Sequence, residues 1–501
     1  MGNGITGFTI RNNIINDVRN GIMIDGRNSG SVTGNRIDNT KSAISVQYTD
    51  GTGIAMSGNT QGTHGNEWGL NLHLNGHMAG SNIVANSTPI SGAPTPGWQQ
   101  SLLDLSAANA GWSVQDQAYT SSNRTHVNVA AGGAANAQGS ALTPLGSIQG
   151  GVNAVVTGGT VKVAAGTFAE NVVIGKSLTL DGTGIGQTIL KAPSATLGNA
   201  VSINASDVTL SDLSINDSLY GVQMQGTANN VTIDRVAFNN NKYGVRNGTT
   251  VKADNFRMRN SSITGGVIGF QTYNGYSNGA GQASFQNALF ENVSVDGSTF
   301  KGFYFEAADN LTMRNVTVTN AGNIGNDSLQ YGAGIDVNLK YGDYGSLTFD
   351  NVVVRNSGAS SGSPTAAAVV IKTRGIAGDS SDYARLPASL QSVNITGGSI
   401  EGAGQTGLRF ETLNNGSGGQ PAVTVNGTQF KNNAGKDIVV DNTSVDARGA
   451  VFVGASNGFA IEDRVTHALD ATGRGLVTWT AGNVYVTQNS GSIQRGVDAA
   501  R

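Results

Sequence analysis

Cysteine is absent from the chain, which removes disulfides and thiolate metal sites from consideration. Proline is scarce, 8 residues in 501, and aromatic residues make up only 6%. Charged residues are 13% of the total, and a net charge of -3 without any lysine- or arginine-rich cluster argues against nucleic acid as a partner. No apolar run approaches the roughly 20 residues that cross a bilayer as a helix, so no transmembrane segment is expected. A chain this poor in large side chains cannot fill a thick globular core. It has glycine instead, 72 residues, set among short Val/Ile/Leu/Phe stretches and Asn, Ser and Thr turns. Such a composition suits a thin core repeated many times on short strands.

Within residues 1–90 the segments Gly21-Ile-Met-Ile-Asp25, Ala43-Ile-Ser-Val-Gln47 and Gly69-Leu-Asn-Leu-His73 share one alternating pattern. It sends Ile22, Ile24, Ile44, Val46, Leu70 and Leu72 to a single buried face, as in stacked strands. These rungs have no recognisable start, and Met1 leads straight into strand-like alternation without a signal peptide. The expectation is the terminal rungs of a first β-helix within a fragment of a longer chain. Over 91–146 the pattern fails, and Pro94, Pro96 and an Ala/Asn/Ser/Gly-rich stretch read as a connector. His73 and His77 flank an Asn-Gly turn that breaks their strand register, so they read as polar surface positions, and no metal site is expected.

A main capped solenoid is expected over 147–456. Its rungs begin at Gly221, Gly244, Gly269, Gly302, Gly334, Ala368 and Gly407, from 23 residues apart (Gly221 to Gly244) to 39 (Ala368 to Gly407). That spacing lies in the range of solenoid repeats. Further short strands follow each rung, such as Leu311-Thr-Met313 and Val316-Thr-Val318, which predicts three faces per coil. Asn-rich turns suit left-handed backbone geometry and side-chain stacking between coils. Residues 457–501 read as a connector, with a short helix over 461–469, and the start of a next cap. Ser492-Ile-Gln-Arg-Gly-Val-Asp-Ala-Ala500 repeats the amphipathic piece Ser147-Ile-Gln-Gly-Gly-Val-Asn-Ala-Val155 almost residue for residue.

The helical piece at 147–155, the strand pair in Thr160-Val-Lys-Val-Ala-Ala-Gly-Thr-Phe-Ala-Glu-Asn-Val-Val-Ile174 and the rung Lys176-Ser-Leu-Thr-Leu-Asp-Gly182 resemble the amino-terminal end of pectinesterase-like and pectin-lyase-like proteins. That resemblance implies an all-β fold, a right-handed parallel β-helix with a short helical cap. Capping makes physical sense, since a bare first rung exposes an unpaired strand edge and an open apolar core. The tandem caps resemble modules of large bacterial secreted or surface repeat proteins, over most of residues 147–500. An extracellular or cell-surface location is what the resemblance implies. The pectate-lyase arginine motif, the paired aspartates of polygalacturonases and a pectinesterase catalytic set are not recognisable, so no family activity carries over residue by residue.

Four consecutive rungs between Lys301 and Thr412 carry unusual charge. The second position past each starting Gly or Ala is Tyr304, Asp336, Val370 or Arg409, and the fourth is Glu306, Asn338, Lys372 or Glu411. The residues between them are apolar and face the core, so the charged set points outward together. Coils about 4.8 Å apart make Lys372 and Glu411 neighbours and put Glu306 and Asp336 on a diagonal of roughly 8 Å. Lys340 and Arg374 add positive charge at one edge, beneath the longest connections, 322–332 and 375–390.

Three readings follow from this patch. It is a solvated ladder of offsetting charges, each pair contributing about 0 to 1 kcal/mol. It is a carbohydrate-binding face, with Tyr304, Tyr341, Tyr344 and Tyr383 as sugar platforms, in a structural or adhesive module that contacts polysaccharide or cell-surface glycan. Or it is the site of a polysaccharide-active enzyme, with Glu306, Asp336, Lys340, Lys372 and Arg374 as catalytic candidates. A uronate lyase needs a base and carboxylate-neutralising cations, and a glycosidase needs two carboxyl groups. Whether the chain is an enzyme, and its oligomeric state, stay open at this stage, and no cofactor is expected.

Overall fold

The computed structural model describes residues 4–26, 28–40, 42–47, 54–61, 68–73, 126–134, 139, 144–277, 280–281, 283–323, 332–359, 366–375, 383, 385–414 and 419–500. The chain divides into two compact units, Met1–Gly166 with Leu178–Asp181, and Thr167–Ser177 with Gly182–Arg501.

The second unit is a parallel β-helix, wound in the right-handed sense that parallel crossovers adopt. One coil shows the plan. Lys301–Phe305 lies on one face, Leu311–Arg314 on the next and Thr317–Thr319 on a third, and the chain then returns to the first face at Ala333–Leu339. Each strand pairs in parallel with its counterpart one coil on, as in Phe303↔Ile335, Leu311↔Leu347 and Val318↔Val354. The face that carries the rungs is an 11-stranded sheet from Val172–Ile174 to Val465–Thr466, here called the rung sheet. Three faces per coil is therefore what the spacing of the short strands foretold.

Corners fall where asparagine takes the left-handed conformation. Asn310, Asn315 and Asn320 have φ of 53°, 52° and 53° and bound the two short strands of their coil. Their amides stack from coil to coil: Asn315 Nδ2 donates to Asn292 Oδ1 at 3.1 Å, and Asn351 Nδ2 to Asn315 Oδ1 at 2.9 Å. Short polar side chains tolerate this backbone and satisfy one another, which is why the turns are Asn-rich. Inside, the few aromatics are concentrated rather than spread. Phe256, Phe270, Phe285, Phe290, Phe303 and Phe305 are all buried, with Phe270 and Phe290 edge to face at 4.8 Å. Where glycine starts a rung it can be a packing requirement: a Cβ on Gly302 would come within 2.5 Å of the Gly334 carbonyl and 2.8 Å of Val318.

In the first unit, the described strands from Thr6–Arg11 to Trp68–His73 form three short parallel sheets, whose rung strands are Asn20–Asp25, Ser42–Gln47 and Trp68–His73. Ile22, Ile24 and Ile44 are buried as expected, whereas the side chains of Val46, Leu70, Leu72 and His73, and all of His77, lie outside the described parts. An amide ladder runs from the exposed Asn13 to the buried Asn35 and Asn59, with 2.9 Å between successive side chains. Further along, helix α1 (Ile148–Ala154) starts at Ser147, whose hydroxyl accepts from Gly150 N. It packs beside the strands His126–Ala134 and Thr160–Val163. The first of these strands lies inside the stretch read as a connector, most of which is outside the described residues.

One helix differs from its sequence-based expectation over 461–469. Helix α2 spans Gly458–Glu462, capped by Asn457, and the chain then turns into the strand Val465–Thr466. The tertiary demand wins there, because Val465 pairs with Ile438 to extend the rung sheet. Helix α3 (Ile493–Ala499), capped by Ser492, closes the described chain.

Candidate functional site

The rung sheet fixes the register of the charged rows. Tyr304, Asp336, Val370 and Arg409 are successive partners across its strands, and Asn338 pairs with Lys372. Their apolar neighbours Phe303, Phe305, Ile335, Val337, Val369, Ile371, Leu408 and Phe410 are all buried in the coil interior. Alternation along each strand thus sends the charged set to the other side of the sheet.

That side is not solvated. Asp336 is fully buried, Lys372 is 3% exposed, and Glu306, Asn338 and Lys301 are buried as well. The expectation of a solvated charge ladder is corrected accordingly for the centre of the patch: Lys301, Glu306, Asp336, Asn338 and Lys372 are buried and must satisfy one another, while Tyr304, Arg409 and Glu411 are half-buried. Asp336 is held by Lys301 on one side and lies 3.9 Å from Lys372 Nζ on the other. Lys372 in turn reaches Glu411 at 3.6 Å. Glu306 Oε1 pairs with Lys340 and accepts from Tyr304 Oη at 2.6 Å, while its Oε2 accepts from Asn274 N at 3.2 Å. Asn338 Nδ2 donates to Tyr304 Oη at 3.2 Å, and Arg374 Nε donates to Asn338 Oδ1 at 2.8 Å. Arg409 closes the row on Asp441 at 3.2 Å.

Burial moves three of these groups toward their neutral forms. It lowers Lys372 to about 7, a shift that Glu411 opposes and that Arg374 and Lys301 reinforce. Burial also raises Asp336, against the pull of the Lys301 ammonium. Tyr304 is pushed well up by burial and then by the carboxylates of Glu306 and Asp336. An amine that loses its proton near neutral pH is a competent general base, and Lys340, Arg374 and Arg409 are cations at the half-buried rim. The two carboxylates needed for a glycosidase are less available, since Glu306 and Asp336 are each engaged by a lysine.

Tyr344 is not a sugar platform. It is buried and donates its hydroxyl to the Lys340 carbonyl at 2.5 Å, with Asn274 Nδ2 donating to it at 3.0 Å. Tyr383 is half-buried, 5.2 Å from the Tyr341 ring, with Lys340 Nζ 5.6 Å from its own ring centre. The connections 324–331 and 376–382, on which the long-loop expectation rests, lie outside the described residues.

Sequence reasoning missed Lys301, which sits one residue before its rung and supplies the direct counter-ion of Asp336. It also missed the extension of the row toward earlier coils. Gln223, Arg246 and Gln271 precede Tyr304 in register, and Tyr220 and Tyr243 are partners in the row beside them. The Arg246 guanidinium lies 4.7 Å from the Tyr220 ring centre and 4.8 Å from that of Tyr273, and the Tyr220 and Tyr243 rings stack at 5.1 Å. The recurring Tyr-Gly-Val of Tyr220 and Tyr243 was a usable signal. Among the described residues no group of three or more His, Asp or Glu side chains is placed to hold a metal ion.

No protein-family model and no curated protein matches the chain. Among solved structures it is similar to an alginate lyase from Paenibacillus sp. at 14% identity, covering 62% of this chain and 93% of that one, with a TM-score of 0.33. It is also similar to the pectate lyase Pel9A at 13% identity, over 68% of this chain and 84% of that one, with a TM-score of 0.39. A rhamnogalacturonan lyase follows at 12% identity, over 72% and 89%, with a TM-score of 0.35. Likeness at this level transfers no activity, and the assignment of the fold rests on the strand pairing above.

Proposed function

We propose that the second unit handles an extended, acidic polysaccharide along the outer face of the rung sheet, as a module of a secreted or cell-surface protein. The observation that carries this reading is the register: the half-buried Gln223, Arg246, Tyr304 and Arg409 fall on one row of the sheet, whose intervening positions Gln271, Asp336 and Val370 are buried. A straight row repeating at the coil spacing of about 4.8 Å suits a linear polymer better than a compact ligand. The half-buried Tyr220, Tyr243 and Tyr273 around Arg246 offer ring faces to sugars and a cation to a carboxylate. Lys340, Arg374 and Arg409 continue the positive rim. Glu306, Asn338 and Asp441 hold these three side chains in place.

Calorimetric titration with polyuronates and with neutral glucans tests the reading. Binding to a polyuronate is expected, weakened about tenfold or more by Arg246→Ala. Absence of binding across both polymer classes sinks it.

One observation favours a second reading, β-elimination on a uronate polymer. Lys372, lowered to about 7, has the proton affinity of a base at neutral pH. Ultraviolet absorbance of unsaturated products would then rise with the wild-type chain and not with Lys372→Met, while polymer binding persists in both. No rise with a broad uronate panel rejects catalysis and leaves the binding reading standing.

A further inference from the structure

Two stretches of the chain build the same device and leave it in different states. In the first unit, Val127-Asn-Val-Ala-Ala-Gly132 lies in a strand that leads to α1; near the end of the second, Val477-Thr-Trp-Thr-Ala-Gly482 leads to α3. Gly132 and Gly482 both take positive φ, 81° and 70°. Ser147 and Ser492 both cap their helices, accepting from Gly150 N at 3.1 Å and Arg495 N at 3.2 Å. Even the bond along the helix surface recurs: Gln149 donates to Asn153 at 2.9 Å and Gln494 to Asp498 at 3.0 Å.

The apolar faces differ. On α1, Ile148 and Val152 are buried at 0% and 3% exposure; their equivalents on α3, Ile493 and Val497, are exposed at 77% and 47%. What covers α1 is visible in the first unit. A Cβ added to Gly151 would lie 2.7 Å from both Val129 and Val161, so the helix sits tightly on the strands His126–Ala134 and Thr160–Val163. These two strands pair in parallel, Val127 with Val161. Of the two strands, only the first has a sequence counterpart before α3, and Gly496, the equivalent of Gly151, meets Val486, where a Cβ would come within 2.5 Å. Val477–Thr478 pairs back to Val445–Asp446 and is the last strand of its sheet among the described residues.

We infer that α3 and the free edge of Val477–Thr478 receive a strand of the Thr160–Val163 type, the opening strand of a further β-helix coil. That strand would pair with Val477 as Val161 pairs with Val127, and its inward valines would cover Ile493 and Val497. An internal cap of this kind joins one β-helix to the next: it closes the last coil of one and seeds the first coil of the other. The sugar-binding reading is not needed for this inference.

The chain lacks cysteine, so a single introduced thiol reports without background. In the 501-residue chain, Ile493→Cys is expected to react with a thiol reagent at least about tenfold faster than Ile148→Cys. The chain is then continued after Ala500 by a second copy of residues 156–500, which begins with the Thr160–Val163 strand. Ile493→Cys should slow at least about tenfold in that context, with Val497→Cys following it. Unchanged rates at both positions in the extended chain overturn the inference. So does protection that already exists in the 501-residue chain and grows with its concentration, because the occupant would then be a second copy.

Discussion

Two sets of charges run along the same coils of the β-helix and differ in what surrounds them. On the two faces away from the rung sheet, Arg314 bridges Glu291 at 3.2 Å and Asp350 at 3.3 Å, its side chain 48% exposed. Arg355 pairs with Glu401 and Arg235 with Asp212 in the same exposed manner. On the rung sheet, Lys301, Asp336 and Lys372 come from three successive strands and meet on diagonals, but are buried. Water screens the first set, and each of its pairs is nearly neutral in free energy. The second set has lost that solvent, so each charge there depends on its neighbours, and proton affinities shift with them. Coil spacing alone does not tell a decorative ladder from a buried electrostatic row.

The largest expected break in this comparison is Asp336→Ala. It removes the direct carboxylate partner of the buried Lys301, while Lys372 keeps Glu411, and should cost about 3–5 kcal/mol in urea unfolding. A loss below about 1 kcal/mol would mean that the row is solvated after all.

Next in size is a pH effect. Folded Lys372 releases its proton near 7, against 10.5 as its ordinary value. Between those values the unfolded chain binds more protons, so stability rises with pH, by at most about 1.4 kcal/mol per unit. Unfolding midpoints measured from pH 7 to 10 should show that rise in the wild type and lack it in Lys372→Met. Asp336 acts in the opposite sense: its raised pKa contributes stability that is full below 3.8 and fades as pH climbs through the folded value. The smallest effect belongs to the exposed set. Arg314→Ala should change stability by less than about 1 kcal/mol, and 0.5 M salt should leave that difference near zero.

The architecture was legible because its causes are local and repeated. Alternation in Gly302-Phe-Tyr-Phe-Glu306 and its counterparts assigns inside and outside, and a rung-start glycine such as Gly302 marks a place where a neighbouring carbonyl leaves no room for a Cβ. Asparagines at the corners announce the left-handed turns. The charged rows were legible too, down to the pairing of Lys372 with Glu411. The Gly458–Glu462 helix was not: the local pattern places it over 461–469, and pairing of Val465 with Ile438 overrides that propensity. Nor was Lys301, whose role depends on which residue of the next coil it meets.

By itself, then, the sequence determined the winding, the alternation, the corners and the repeated serine-capped helix, all set by residue type and short-range spacing. The tertiary structure alone decided that Asp336, Glu306 and Lys372 are buried, that Lys301 and Lys372 flank Asp336, that Tyr344 is locked inside, and that Ile148 and Val152 of α1 are covered while Ile493 and Val497 of α3 are exposed. Burial is a property of what lies on top of a residue. In a solenoid that covering comes from other coils and connections, many residues away, so the local pattern that points a side chain outward does not say whether water is there to meet it.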